Sequence, residues 1–138
     1  DYQRSLDLGQ ARFSDGNIIG KVMISEQSFI LLWHIQYATY EACPYGEGSY
    51  IFGTLFTNNV GLNTTLLAEM SGGGDPPSWG QTRVNSIISL DKIVTEAVEK
   101  WGEEDYDTGE EYVEIRETKV VINITPTSLE EESEETSD

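Results

Sequence analysis

The chain has 138 residues, of which 25 are acidic and only 8 are basic, so its formal net charge is -17 at pH 7. This length suits one domain with a single hydrophobic core and leaves too little material for a second. A surface this acidic repels phosphate groups, which argues against direct contact with nucleic acid or anionic lipid. Apolar runs are short, so the sequence predicts neither a transmembrane helix nor membrane insertion.

The chain contains one cysteine and one histidine, Cys43 and His34. A single thiol excludes an intrachain disulfide and any zinc site built on several thiolates. A Cys-His dyad is sterically allowed, because the two residues flank a predicted strand end. However, Cys43 precedes Pro44 in a turn-like stretch, and a lone histidine in a strand is usually packed or hydrogen-bonded. The sequence therefore predicts no catalytic residue.

The N-terminal part of the chain is predicted to form an extended arm followed by a β-meander. Residues 1–16 contain Gly9, Asp15 and Gly16 and few β-branched residues, which is typical of an extended arm. Strand-like patterns follow, with a tight turn predicted at the sequence NNVG between the last two strands. These predicted strands cover residues 17–25, 27–40, 49–57 and 62–70.

The strand at 27–40 is apolar on both faces in its first half. Phe29, Leu31 and Trp33 share one face, and Ile30 and Leu32 share the other. Such a strand needs a cover on each side, so these positions bear directly on how the domain is packed or assembled.

Residues 71–82 are predicted to form a long exposed loop, because four glycines and two prolines interrupt the strand pattern. A phosphate-binding loop is the alternative, but the glycines lack the lysine that such a loop requires. Trp79 gives the loop an aromatic side chain that can reach a neighbouring subunit.

The segment SLDKIVTEAVEKWG, residues 89–102, predicts an amphipathic helix. Its apolar residues fall at helical spacing, with Ser89 as the N-cap and Gly102 as the C-terminal stop. We expect this helix to cover one face of the sheet with its apolar stripe, which consists of Leu90, Ile93, Val94, Ala97, Val98 and Trp101.

The segment EEDYDTGEE after the helix is a candidate calcium site. Asp105, Asp107 and Glu110 place carboxylates close together around a turn, and carboxylate oxygens are the ligands that calcium prefers. The spacing does not match an EF-hand, so a solvated acidic turn is the alternative. Calcium is the only cofactor that the sequence suggests.

The C-terminal part is predicted to contain strand sequence followed by an acidic tail. The apolar residues change phase along the strand region, which predicts a bulge or turn near residues 117–119. Residues 129–138 carry six acids and no base, so we expect a solvated tail that contributes nothing to folding. Sequons at Asn63 and Asn123 leave glycosylation open.

Together these patterns predict an α+β fold: a mostly antiparallel sheet with one amphipathic helix packed on one face. The sequence does not distinguish a curled sheet from a sandwich-like one. The domain division is an arm at 1–16, a single α+β domain at 17–128 and the acidic tail at 129–138.

Because one short helix cannot cover both faces of a sheet, we expect a second subunit on the other face. The predicted interface residues are Phe29, Leu31, Trp33 and Trp79. This favours a non-enzymatic structural subunit, a homo-oligomer that contacts copies of itself and other structural proteins. We expect it in a virion, as a capsid decoration, head–tail connection or tail protein of a phage or archaeal virus, or in an extracellular filament. The excess of acids suits a halophilic setting.

Two other classes of function stay open. An acidic binding module or inhibitor would mimic nucleic acid at a basic partner, with affinity that falls steeply with salt. An enzyme would need a carboxylate pair in a closed pocket, drawn from Glu41, Glu47 and Glu69.

Overall fold

The computed structural model describes residues 16–39, 45–74 and 77–137. These ranges form one antiparallel sheet in which each strand pairs with the next along the chain, and they contain no helix. The fold is therefore all-β, and the prediction of an α+β fold is wrong. The strands are β1 (Asn17–Met23), β2 (Ser28–Thr39), β3 (Tyr45–Thr57), β4 (Val60–Gly74), β5 (Ser78–Ile88), β6 (Lys92–Glu104), β7 (Glu111–Ile124) and β8 (Leu129–Ser137).

The segment predicted as a helix is strand β6, paired with β5 on one side and β7 on the other. Burial alternates along it: Ile93, Thr95 and Ala97 are buried, whereas Leu90, which precedes the strand, is 69% exposed. A run of β-branched residues at 93–95 favours an extended backbone. Apolar residues on both faces of the strand mimicked helical spacing, and pairing with two neighbours determined the outcome.

Strands β3 and β4 are joined by a two-residue turn. Asn58 and Asn59 both have positive φ, 52° and 64°. Asparagine tolerates this region, and two such residues in succession are the signature of a type I′ hairpin turn. The predicted turn at NNVG is confirmed, and the four predicted strands from 17–25 to 62–70 correspond to β1–β4.

The residues predicted as a long loop at 71–82 belong mostly to the sheet. Strand β4 continues to Gly74, and β5 begins at Ser78. Gly72 pairs with Gln81 and Gly73 with Gly80, so these glycines extend the β4–β5 ladder rather than interrupting it.

Buried side chains form two clusters that lie on opposite faces of β2 and β3. Ile30 and Leu55 belong to the first cluster, and Trp33 and Phe52 belong to the second. The C-terminal strands contribute to both. The first cluster also contains Leu67, Ile93, Val120, Ile122 and Leu129, and the second also contains Ile35, Tyr50, Leu66, Val84 and Ala97. Each face of the two-sided strand β2 thus carries side chains buried within one chain, Ile30 on one face and Trp33 on the other.

A bulge in β4 allows close packing over β3. The β3–β4 register shifts between Ile51 and Phe52, which leaves Leu67 as an extra residue. A Cβ at Gly53 would lie 2.7 Å from Leu67 Cδ1 and 2.8 Å from Ile30 Cγ2. Only glycine therefore lets these two side chains meet across the strand.

The sheet curls so that the end of the chain contacts β4. The Asn63 side chain donates from Nδ2 to the Leu129 carbonyl at 3.1 Å and accepts from the Leu129 N–H at Oδ1 at 3.0 Å. Thr57 Oγ1 adds a hydrogen bond of 2.6 Å to the Pro126 carbonyl. The amide of Asn63 acts here as a strand partner would.

The expected acidic tail forms strand β8, which pairs with β7 along its length. Leu129 is the buried residue of this strand, and the residues after it are exposed. Its backbone completes the ladder of β7, which explains how so polar a segment is placed in a sheet. The bulge or turn predicted near 117–119 is wrong, because β7 pairs with β6 through these residues without a shift. The apolar residues change phase because Val113 and Ile115 face outward and are each 45% exposed, and the β7–β8 pair has its register shift between Val121 and Ile122.

Candidate functional site

The first candidate surface is the edge of the sheet at β1. Among the described strands, β1 pairs with β2 alone. Its apolar side chains are largely exposed: Ile18 is 70%, Ile19 53% and Met23 49% exposed. The register shift between Ile18 and Gly20 places a bulge at Ile19. An edge strand with unpaired backbone groups and exposed apolar residues can accept a strand from another chain.

The opposite edge at β8 is protected by charge. Five glutamates within six positions are all exposed: Glu130, Glu131, Glu132, Glu134 and Glu135. Lys92 Nζ lies 3.4 Å from a carboxylate oxygen of Glu132. Desolvation, and then the hydrogen bond and charge of Glu134, raise the pKa of Glu131. Dense like charge on an edge opposes pairing with a further strand.

The second candidate surface is an open cleft of about 590 Å³ that spans β3 to β6. Arg83 and Lys100 line it, and the register places them diagonally on one face, because Gln81 pairs with Lys100 and Arg83 with Val98. In the described ranges neither cation forms an ion pair. The lining residues are Glu47, Met70, Ser71, Gly72, Gln81, Thr82, Arg83, Val98 and Lys100.

The acidic turn between β6 and β7 is held by its own hydrogen bonds. Asp105 Oδ1 accepts from the N–H groups of Asp107 at 2.9 Å and Thr108 at 3.4 Å, and Gly109 has a φ of 74°. One of the three candidate calcium ligands is thus used to shape the turn. Over the described ranges, no group of three or more metal-binding side chains converges, so calcium binding stays a prediction.

The same hairpin exposes two aromatic side chains near its tip. Tyr106 is 69% and Tyr112 is 74% exposed. The hairpin continues the β6–β7 ladder directly, since Glu104 pairs with Glu111 and the Asp105 N–H donates to the Glu110 carbonyl. Exposed tyrosines beside carboxylates make this tip a third candidate contact surface.

The four predicted interface residues do not form one surface. Trp33 is 8% exposed, stacks on Phe52 with centroids 4.6 Å apart and donates from Nε1 to Thr54 Oγ1 at 3.0 Å. Phe29 is half-buried and stacks on Phe56, and Leu31 is also half-buried. Trp79 lies on β5 and packs over Gly102 of β6, away from β2. A role for these residues in subunit contact stays a prediction.

The groups considered for catalysis do not converge either. His34 Nε2 forms a hydrogen bond of 2.6 Å with Ser49 Oγ. Glu69 is buried and accepts from Ser71 Oγ at 2.5 Å. The register pairs Glu47 with Gly72 and Tyr50 with Glu69, which places the two glutamates on opposite faces. Cys43 and Glu41 lie outside the described residues.

Sequence reasoning missed the β1 edge and the two cleft cations. The adjacent apolar pair Ile18 and Ile19 in a short first strand was a readable signal for the edge. Arg83 and Lys100 carried no such signal, because strands β5 and β6 first had to be identified before their faces could be compared.

Comparison with protein-family models, with curated proteins and with solved structures finds no match to this chain. In the part of the chain that the structure describes, no helix is long and apolar enough to span a membrane.

Proposed function

We propose that this chain is a non-enzymatic structural subunit that assembles with copies of itself through the β1 edge. The observation that carries the proposal is the exposure of Ile18, Ile19 and Met23 on a strand with one described partner. On β2, by contrast, Ile30 and Trp33 are buried within the chain, and Phe29 and Leu31 are half-buried. The β1 edge is therefore the most exposed apolar surface at this end of the sheet.

Pairing of β1 with β1 of a second copy is the arrangement that these edges favour. Two antiparallel β1 strands give an isologous contact with two-fold symmetry and continue the sheet from one copy into the next. Pairing of β1 with β8 of another copy would require the glutamate-rich edge to approach a chain that is itself negatively charged. Other structural proteins of the same assembly are further partners for these surfaces.

A virion, as a capsid decoration, head–tail connection or tail protein, is our proposed setting, with an extracellular filament as the close variant. Both are built from small subunits that each contact several neighbours. An acidic surface keeps such subunits hydrated at high salt. This attribution rests on analogy with small assembly proteins rather than on a particular site.

The test replaces the apolar edge by charge. The variant Ile18→Lys with Ile19→Lys places two gatekeeper charges on β1, and Leu90→Lys is the control, since Leu90 is similarly exposed but lies in the β5–β6 turn. Light scattering over a range of concentrations should show an oligomer for the parent and the control, and a folded protein of lower mass for the edge variant. An edge variant that keeps the parent's mass contradicts the proposal, as does a parent that is monomeric throughout.

A second function, mimicry of nucleic acid, has one observation in its favour. Residues advance about 3.4 Å each along an antiparallel strand, and one DNA strand carries a phosphate about every 3.4 Å of helix axis. Five exposed glutamates at 130–135 therefore give β8 a charge per unit length close to that of a nucleic-acid strand, divided between its two faces because successive side chains alternate. If this is the function, the chain displaces DNA from a basic DNA-binding protein, and replacing these glutamates by glutamine abolishes the competition.

A further inference from the structure

We infer that the acidic β6–β7 hairpin tip of one copy docks into the Arg83–Lys100 cleft of another copy. This second contact rests on the proposed structural function and goes beyond the β1 edge. The hairpin tip is defined as residues 105–112, and the cleft is the open one that spans β3 to β6.

The cleft is the place in the described chain where cations gather without acidic partners. The net charge of the protein is -17, yet the cleft is lined by Arg83 and Lys100 against a single carboxylate, Glu47. Elsewhere, Lys92 pairs with Glu132, and Arg116 lies 3.6 Å from Glu99 and over the Trp101 ring. Two cations without ion pairs on one face favour an anionic ligand.

The open shape of the cleft favours a segment of protein over a small molecule. Small-molecule sites bury most of their ligand, whereas Glu47, Met70, Gln81, Arg83 and Lys100 are themselves exposed. Met70, at 62% exposed, and the half-buried Val98 flank Arg83 on β4 and β6 and add apolar surface beside the cations. A ligand with an aromatic side chain and carboxylates would match both the apolar residues and the cations of this cleft.

The hairpin tip has that composition. Tyr106 and Tyr112 are exposed, and Asp107 and Glu110 add carboxylates beside them. A buried tyrosine removes a large area from water while its hydroxyl keeps a polar partner. Carboxylates would meet the guanidinium of Arg83 and the ammonium of Lys100, and the tyrosines would pack on the apolar side chains that flank Arg83, Met70 on one side and Val98 on the other.

The hairpin cannot reach the cleft of its own chain. Strand β6 runs extended from Lys100 to Glu104, pairs with Ser78 through Glu103 and with Glu111 through Glu104, and so carries the tip away from the cleft. Asp105 is five residues beyond Lys100, or about 17 Å along an extended strand. The contact is therefore between copies. Tip and cleft are different surfaces, so the contact is heterologous and builds either a closed ring or an open filament.

Cross-linking between full-length chains tests the contact directly. A photoreactive phenylalanine analogue at position 106, irradiated at about 0.15 M salt, should form intermolecular cross-links that mass spectrometry maps to the strands around Met70, Arg83 or Val98. The variant Arg83→Gln with Lys100→Gln should lower the yield about tenfold, as loss of two charge-assisted contacts would. The matched control Lys92→Gln with Lys119→Gln makes the same charge change and should keep the yield. Absence of cross-links in the cleft, or equal loss in the control, overturns the inference.

Charge exchange provides the second readout. Copies with Arg83→Glu and Lys100→Glu should not cross-link to parent tips, but should do so to tips with Asp107→Lys and Glu110→Lys. Failure of the exchanged pair to cross-link while both variants are folded contradicts the inference. If the parent assembles through β1 but shows no tip–cleft cross-link, only the inference fails; if the Ile18→Lys, Ile19→Lys variant keeps its mass while the cross-links are found, the β1 proposal fails.

Discussion

Asn63 links the N-terminal and C-terminal halves of the sheet through one side chain. Both polar atoms of its amide bond the backbone of Leu129, the buried residue of β8. The side chain therefore replaces a pair of ladder hydrogen bonds where β4 and β8 approach each other. Asn63 also begins a glycosylation sequon. However, its amide nitrogen is bonded to the Leu129 carbonyl and is therefore poorly placed to carry a glycan.

Replacement of Asn63 by alanine should destabilise the fold. The substitution leaves the Leu129 N–H and carbonyl without their partner, and an unpaired part-buried group costs about 1–3 kcal/mol. Urea unfolding measures the loss, with Asn85→Ala as the control, because Asn85 is exposed on β5. A loss for Asn63→Ala no larger than that of the control would show that the amide does not hold β8.

Glu131 should make stability fall as pH rises. Desolvation, followed by the hydrogen bond and charge of Glu134, raises its pKa above the usual 4.5. A carboxyl whose pKa is raised by folding stabilises the fold while it is protonated. This contribution is complete below pH 4.5 and is lost as pH rises through the raised value. The unfolding free energy of Glu131→Gln should decline less than the parent's from pH 4.5 to neutral pH. Glu110→Gln, in the β6–β7 turn, is the control. If the unfolding free energy of Glu131→Gln changed with pH as steeply as that of the parent, the prediction would be wrong.

At the scale of elements, β6 shows why local pattern was insufficient. Its apolar residues satisfy helical spacing, but only alternate ones are buried, because the segment lies between β5 and β7. A helix would bury Leu90 and Ile93 on the same stripe. The strand buries Ile93 completely and leaves Leu90 69% exposed.

Two alanine substitutions distinguish the strand from the helix. Ile93→Ala should cost about 2–4 kcal/mol, through lost burial and the cavity left behind. Leu90→Ala should change stability by less than about 0.5 kcal/mol, since exposed positions tolerate substitution. Chemical denaturation measures both, and Ile87→Ala, at 76% exposed, controls for the same substitution on the outer face. Similar large losses at positions 90 and 93 would restore the helix.

The sequence predicted those elements whose signals were local. Strands β1–β4 were readable from period-two apolar patterns, and the Asn58–Asn59 turn from its residue types. Strands β5 and β8 could not be predicted in this way. Their glycine-rich and glutamate-rich segments become strands only by pairing with β4 and β7, respectively. The candidate surfaces were out of reach for the same reason. Whether Trp33 or Ile18 is exposed depends on which strands cover β2, and no single segment encodes that.

At the scale of the whole molecule, repulsion among carboxylates is the main electrostatic term. The charge is -17, and in the described part of the chain the two direct ion pairs are Lys92–Glu132 and Arg116–Glu99. In both pairs the cation is solvated, at 44% exposure for Lys92 and 45% for Arg116, so the pairs offset little of the repulsion. Strand β8 carries five glutamates within six positions and buries only Leu129, so little apolar burial offsets the repulsion there.

Salt should therefore stabilise this fold, and β8 in particular. Screening lengths fall from about 30 Å at 0.01 M to about 3 Å at 1 M, while interactions between charged side chains on neighbouring positions of a sheet are on the order of 0.2–1 kcal/mol a pair. Relief at several pairs gives about 1–2 kcal/mol, which raises Tm by roughly 3–8 °C in a chain of this size. Calorimetry in increasing NaCl measures the rise, and hydrogen exchange should show β8 amides gaining more protection than those of β6. A variant with Glu131 and Glu134, which repel each other, replaced by glutamine should melt higher at low salt and respond less to NaCl. A parent whose Tm is constant or falls between 0.01 and 1 M NaCl would mean that apolar burial at Leu129 and the Asn63 link already outweigh the charge on β8.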